Sequence, residues 1–186
     1  KKYFKLKPKI ALVNEQVFSP GIIENYLKCG YKSLILDWDN CLKANKKIKK
    51  NFFFFPQKVL SSKGKKINVI WSSSIFFQKF QRYAQAEIGL DEYLRFIDNK
   101  KINLKDASMC LYASDLEAIN FRTKRYKSES KVEKSEWTRV ELLIQKLIHK
   151  KYKFVKPSEI LISKKNNFNF NNIEFNNPAF PCLTKK

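Results

Sequence analysis

An α/β fold is predicted for this 186-residue sequence: a parallel sheet with flanking crossover helices, Rossmann or flavodoxin-like, carrying a helical insertion. Short apolar runs alternate with helix-compatible segments, the order that a parallel sheet with crossover helices produces. Hydrophobic residues make up 44% and aromatics 15% of the chain, too apolar for a basic disordered tail and sufficient for a real core. The run Ser33-Leu34-Ile35-Leu36-Asp37-Trp38 reads as a buried strand, entered from Gly30 and ended by Asp39-Asn40.

The elements follow in order. Residues 1–25 read as an extended basic arm, with Pro8 and Pro20 bracketing Ile10-Ala11-Leu12-Val13, and residues 26–186 as a single domain. Gly21 to Lys28 is a short helix or turn ahead of the buried strand. Residues 42–61 are helix-compatible, with Leu42, Ile48, Phe52, Phe55, Val59 and Leu60 roughly on one side and Pro56 kinking or breaking the helix. Lys63-Gly64-Lys65-Lys66 is a turn, and Ile67-Asn68-Val69-Ile70-Trp71 a second strand. Ser72-Ser73-Ser74 caps a helix bearing Ile75, Phe76, Phe80, Tyr83 and Ala84, which stops at Gly89. Leu94-Arg95-Phe96-Ile97 is a third, weaker strand.

Residues 105–150 form the helical insertion, in whose second half Trp137, Val140, Leu143, Ile144, Leu147 and Ile148 repeat at amphipathic spacing. Pro157 ends it, and Glu159-Ile160-Leu161-Ile162-Ser163 is another strand. The Asn-rich stretch from Asn166 to Asn177 keeps Phe168, Phe170, Ile173 and Phe175 for helical packing, and Phe180-Pro181-Cys182-Leu183-Thr184 is a last strand. Most of the 16 Phe belong in the core.

Charge dominates the composition: 38 Lys+Arg against 17 Asp+Glu give a formal net charge of +21. A domain so unbalanced calls for a polyanion, and the spread of cations along the chain suits structured RNA better than a membrane, which needs only a local basic patch. The candidate RNA contacts are Lys46, Lys47, Lys49, Lys50, Lys63, Lys65, Lys66, Arg95, Lys100, Lys101, Arg122, Lys124 and Arg125. Arg95, Arg122 and Arg125 suit bidentate phosphate contacts. An excess of Lys, Asn, Phe and Ile over Gly, Ala and Arg matches A+T-rich codon use and points to an organelle, the mitochondrion first and the plastid second. Cys29, Cys41, Cys110 and Cys182 show no CxxC spacing and the single His149 has no cysteine near it, so no structural zinc is expected. No run approaches the ~18 apolar residues a spanning helix needs, so no membrane insertion is expected. No cofactor is expected either.

One motif carries possible chemistry. Leu34-Ile35-Leu36-Asp37-Trp38-Asp39-Asn40 places two carboxylates at a strand end, and it resembles the first motif of haloacid-dehalogenase-type phosphatases. That resemblance implies Asp37 as nucleophile, Asp39 as acid/base, Ser72 as phosphate contact, and a magnesium ion needing a further acidic pair, for which Asp115 and Glu117 are the candidates. The same spacing also serves a strand-to-helix turn, where Asp and Asn cap amides.

A second resemblance covers about residues 26–184. Tyr26-Leu27-Lys28-Cys29-Gly30, the strand ending Asp37-Trp38-Asp39-Asn40-Cys41-Leu42, and Lys63-Gly64-Lys65-Lys66 leading to Ser72 follow the order of motifs in small-subunit ribosomal protein two of bacterial and organellar type. Tyr93-Leu94-Arg95-Phe96, Pro157-Ser158-Glu159-Ile160 and Phe180-Pro181-Cys182-Leu183-Thr184 continue it, divergently, and the family's final strand and helix have no counterpart. The resemblance implies a structural constituent of a mitochondrial ribosome's small subunit. Such a protein binds small-subunit rRNA and neighbouring ribosomal proteins, supports translation, and catalyses nothing. The magnesium-dependent phosphatase using Asp37 and Asp39 is the alternative.

Overall fold

In the computed structural model, residues 6–13, 17–46, 48–100, 107–114, 119, 136–162 and 172–179 are described. The chain divides into two compact units: Lys1–Ser74 with Lys105–Cys110 and Lys156–Lys186, and Ile75–Leu104 with Leu111–Val155.

The first unit is built on a five-stranded sheet, β1 (Ile10–Leu12), β2 (Ser33–Asp37), β3 (Gln57–Leu60), β4 (Lys66–Ser72) and β5 (Asn172–Ile173), in the order β1-β2-β4-β3-β5. β1 is parallel to β2, β2 to β4 and β5 to β3, while β3 and β4 form an antiparallel hairpin. The α/β class and its mostly parallel sheet are thus as the sequence predicts. The register places Leu34 opposite Val69, Leu36 opposite Trp71, and Val59 opposite both Ile67 and Ile173, so these apolar side chains share one face. All of them are buried. Trp38 and Phe175 pack edge-on to Trp71, with ring centroids 5.1 Å and 6.3 Å away, and Phe53 lies 5.8 Å from Trp38. Burial of this face contributes to the unit's apolar stabilisation.

Short helices connect the strands. α1 (Ile23–Lys28) precedes β2, α2 (Trp38–Ala44) follows it directly, and α6 (Pro157–Ile162) belongs to the same unit. The helix expected over residues 42–61 is corrected: α2 stops at Ala44, a 3-10 turn covers Lys50–Phe54, and β3 follows. Asn45 explains the stop, because its side chain donates to the Cys41 carbonyl and accepts from the amides of Asn176 and Asn177. Its own amide still closes the last turn of α2. Ile10–Leu12 of the expected arm is extended and pairs as the edge strand β1.

The second unit is helical: α3 (Ser74–Ala84, whose first residue lies in the first unit), α4 (Leu90–Lys100) and α5 (Glu136–His149). Leu94–Ile97, expected as a strand, lies within α4. Tyr93 and Ile97 are buried one turn apart, a helical period that a four-residue apolar run cannot distinguish from a strand. Tyr83 stacks on Tyr93 at 5.6 Å, and Phe76 meets Phe96 at 4.9 Å. Arg139 of α5 donates from Nε to the Tyr83 carbonyl (2.8 Å) and from Nη2 to the Ile88 carbonyl (3.0 Å), with its guanidinium 4.7 Å from the Tyr83 ring centre. That grip ends α3, with Ala86 rather than Gly89 adopting the left-handed conformation (φ 63°). α5 buries Val140, Leu143 and Leu147 but leaves Trp137, Ile144 and Ile148 exposed. The expected apolar stripe is therefore split along its length.

Glu159–Ile162, expected in a strand, is α6. Pro157 opens this helix instead of ending one, and the Glu159 carboxylate accepts from the Lys156 amide at 3.4 Å. The strand expected at Phe180–Thr184 and most of the insertion at 105–135 lie outside the described residues.

Candidate active site

The parallel strands β2 and β4 end level with one another, Asp37 opposite Ser72. Carboxyl ends of parallel strands are where ligand sites form in open α/β sheets. Here the chain turns straight from β2 into α2, and Asp37 is the residue at which it turns. Its backbone remains extended (φ −73°, ψ 121°) while its side chain caps the helix, Oδ2 accepting from the Asn40 amide at 2.8 Å. Its other oxygen, Oδ1, accepts from the Ser74 amide at 2.6 Å.

Asp39 stands two residues on, in the first turn of α2, where a negative charge suits the helix macrodipole. Its Oδ2 accepts the Ser73 hydroxyl at 2.6 Å and the Ser74 hydroxyl at 3.1 Å. The Ser72 hydroxyl turns away and donates to the Leu36 carbonyl at 3.0 Å. Two carboxylates from one strand end and two hydroxyls from the next thus form one hydrogen-bonded cluster.

The two acids occupy different surroundings. Asp37 is buried, Asp39 half-buried. Burial pushes the Asp37 carboxyl up to about 6, against the opposing pull of the Asn40 amide; the neighbouring Asp39 charge raises it further and the Ser74 amide and hydroxyl lower it. Cys41, one turn along α2, is pushed up to about 12 by burial and then by Asp37, so its thiol stays protonated and unreactive near neutrality. A carboxyl that keeps its proton to about pH 6, next to a second carboxylate already engaged with hydroxyls, is the combination from which acid/base pairs are made.

The sequence points to Asp37 and Asp39 but not to the hydroxyls of Ser73 and Ser74 that hold Asp39. The Ser72-Ser73-Ser74 run held that signal, read there as a helix cap. Ser72, the phosphate contact that the phosphatase resemblance implies, donates its hydroxyl to a strand carbonyl. Among the described residues no group of three His, Cys, Asp or Glu is arranged to hold a metal. Asp115 and Glu117 lie outside the described residues.

The lysines and arginines singled out from the sequence scatter. Lys46, Lys49 and Lys50 are exposed in the connection between α2 and β3, Lys63, Lys65 and Lys66 are exposed at the β3–β4 turn, and Arg95 and Lys100 lie on α4 in the other unit. Lys47, Lys101, Arg122, Lys124 and Arg125 lie outside the described residues. Cys29 and Cys41 are free thiols.

No family model matches this chain, and no curated protein matches it. Among solved structures, a 4-alpha-glucanotransferase from Thermococcus litoralis is similar with a TM-score of 0.59 and 14% identity, over 91% of this chain and 24% of its own. An exo-type maltose-forming amylase from Pyrococcus sp. ST04 is similar with a TM-score of 0.66 and 14% identity, over 93% of this chain and 29% of its own. The chain therefore spans less than a third of either protein, and at this identity the likeness establishes the fold. It also corrects the ribosomal expectation. These folds belong to carbohydrate-processing enzymes, and nothing in the comparisons supports a structural constituent of a ribosome, rRNA binding, a role in translation, or an absence of catalysis.

Proposed function

We propose that this chain is part of a carbohydrate-active enzyme, in which Asp37 and Asp39 act on the glycosidic bond of a glucan. The observation that carries the reading is the carboxylate pair itself. Two acids at the carboxyl end of β2 sit in environments that separate their roles, on a fold similar to portions of a glucanotransferase and an amylase.

Glycosidic cleavage needs one carboxyl to protonate the departing oxygen and a second carboxylate to serve the opposite charge requirement at the anomeric carbon. Asp37, with its proton held to about pH 6, is the acid. Asp39, fixed by the Ser73 and Ser74 hydroxyls, is the anionic partner toward the positive charge that grows on the sugar ring. After the leaving group takes the Asp37 proton, water or an acceptor sugar hydroxyl attacks and returns a proton to the pair, so acid and base are regenerated. Ser73 and Ser74 are positioning residues here, because they orient Asp39.

The test is turnover of maltooligosaccharides, read as new reducing ends or as transfer products of altered length. The expected result is activity that falls as pH rises through about 6, the Asp37 titration. Asp37→Asn is expected to lower kcat by roughly 10²–10⁴-fold, the usual range for a lost general acid. A folded wild-type protein with no glucan turnover, or turnover that survives Asp37→Asn with its pH profile intact, overturns the reading.

A further inference from the structure

The opposite end of the same sheet is basic, and sequence order hides this. β1, β2 and β4 are parallel neighbours, so the residues entering them share one edge. Lys9 precedes β1, Lys32 precedes β2, and Lys66 opens β4; all three are exposed. The backbone ties them side by side, the Lys32 amide donating to the Lys9 carbonyl at 2.7 Å and the Asn68 amide to the Lys32 carbonyl at 3.4 Å. Lys7 and Lys28 flank this row, and the β3–β4 turn adds Lys63 and Lys65, making seven exposed lysines on one rim. Across residues 6–13, 17–36 and 57–70 the only acid is Glu24, which is buried, accepts from the Ser61 hydroxyl at 3.2 Å and lies 3.7 Å from the Lys63 ammonium.

We propose that this rim seats the protein on the headgroup layer of an anionic bilayer. Lysine ammonium groups are drawn to the negative surface of an anionic lipid layer, each adding to the attraction. Apolar and amphipathic groups stand among them. Leu6 is 66% exposed next to Lys7, and Tyr31 is half-buried, edge-on to Tyr26 at 5.8 Å. Leu6, Lys7, Lys9 and Tyr31 line a shallow cavity of about 350 Å³ with Cys29 beside them. Lysine, leucine and tyrosine on one surface form the composition of an interfacial contact, where side chains meet headgroups and the boundary of the acyl region. Binding here is peripheral. Among the described residues no helix is long and apolar enough to cross a membrane.

The inference stands apart from the glucan reading, since it uses the other end of the sheet. The experiment is co-sedimentation with vesicles of 70:30 phosphatidylcholine:phosphatidylserine and of phosphatidylcholine alone. Binding is expected only to the mixed vesicles and is expected to fall with added salt. Each lysine near an anionic surface is worth about a fivefold factor in partitioning, so Lys9→Gln/Lys32→Gln/Lys66→Gln should weaken binding about a hundredfold. Lys146→Gln/Lys151→Gln/Lys153→Gln, with the same change in net charge at and beyond the end of α5, should weaken it far less. Far-UV circular dichroism confirms that both variants fold. Equal losses in the two variants refute the rim as the contact, as does failure of the wild type to bind the mixed vesicles. A rim that is instead required for a single-stranded oligonucleotide, with vesicles unbound, assigns the surface to nucleic acid and also overturns the proposal. Asp37→Asn is expected to leave vesicle binding unchanged, so failure of one reading does not carry the other with it.

Discussion

Replacing Asp37 by Asn should change the pH dependence of stability as well as stability itself. Burial holds the folded-state carboxyl at about 6 against an ordinary 3.8. A raised acid pKa means that the folded protein binds the proton more tightly than the unfolded chain. The group's contribution is therefore fully present below about pH 4 and is lost as pH rises through about 6. Moving the carboxyl from 3.8 to about 6 corresponds to about 3 kcal/mol, at about 1.4 kcal/mol per tenfold change in proton affinity. Asn has no proton to lose, so the variant lacks this slope. It also exchanges one carboxylate oxygen for an NH₂ group, which then faces the amide of either Asn40 or Ser74 donor to donor. That mismatch lowers stability at every pH. The assay is urea denaturation of both proteins at intervals from pH 4 to pH 7.5. The gap between wild type and variant should be largest at pH 4 and should narrow by up to about 3 kcal/mol by pH 7. A constant gap, or one that widens with pH, would refute the burial argument and remove Asp37 as an acid that keeps its proton to about pH 6.

Arg139→Ala removes two charged hydrogen bonds to the carbonyls of Tyr83 and Ile88 and a guanidinium from the face of Tyr83, so a loss of about 2–4 kcal/mol is expected on thermal or urea unfolding, only partly restored by Lys. Gly64 has φ +75° in the β3–β4 turn and an added Cβ there would meet nothing within 4 Å, so Gly64→Ala should cost about 1 kcal/mol from backbone strain alone, read as a shift in Cm with m unchanged. The Trp71 indole N–H is buried without a partner among the described residues. Relief of that donor, about 1–3 kcal/mol, opposes the packing lost in Trp71→Phe, and the net change in urea stability should stay within about 1 kcal/mol.

The sequence discloses β2, most of β4 and the carboxylate pair because each is local. An apolar run ends at Asp37-Trp38-Asp39-Asn40, and Asp and Asn are residues that a strand-to-helix turn requires. It misassigns Leu94–Ile97 and Glu159–Ile162 because a four-residue apolar run carries no period, and burial decides between helix and strand only once neighbours are known. β3 is missed for the same reason, since its pairing partner β4 and the stop at Asn45 are tertiary facts. The contacts of Ser73 and Ser74 to Asp39 depend on the alignment of β2 with β4, which no spacing within one segment encodes. The ribosomal expectation rests on net charge and on the order of short, divergent motifs; charge bears on solubility and association and is compatible with many folds.

Parallel pairing explains how one small sheet separates two kinds of chemistry. In an antiparallel sheet each end mixes strand starts with strand stops. In β1, β2 and β4 every start faces one way and every stop the other. Lysines precede β1 and β2 and open β4, and the residues at which β2 and β4 end are Asp37 and Ser72, followed by Asp39, Ser73 and Ser74. Charges of opposite sign are thereby held apart by the length of the strands, about 3.3 Å per residue over five to seven residues, which exceeds the Debye length at physiological ionic strength. The rim lysines therefore do little to draw Asp37 toward ionisation, and its proton is governed by burial, by the Asn40 amide and by Asp39. An excess of positive charge that would suppress a general acid if it surrounded the carboxylates is harmless at the far end of the strands. A lysine introduced at Ser73 would breach that separation, replacing a hydroxyl donor to Asp39 with a cation beside both acids, and would pull Asp37 down from about 6 toward the ordinary carboxylate range.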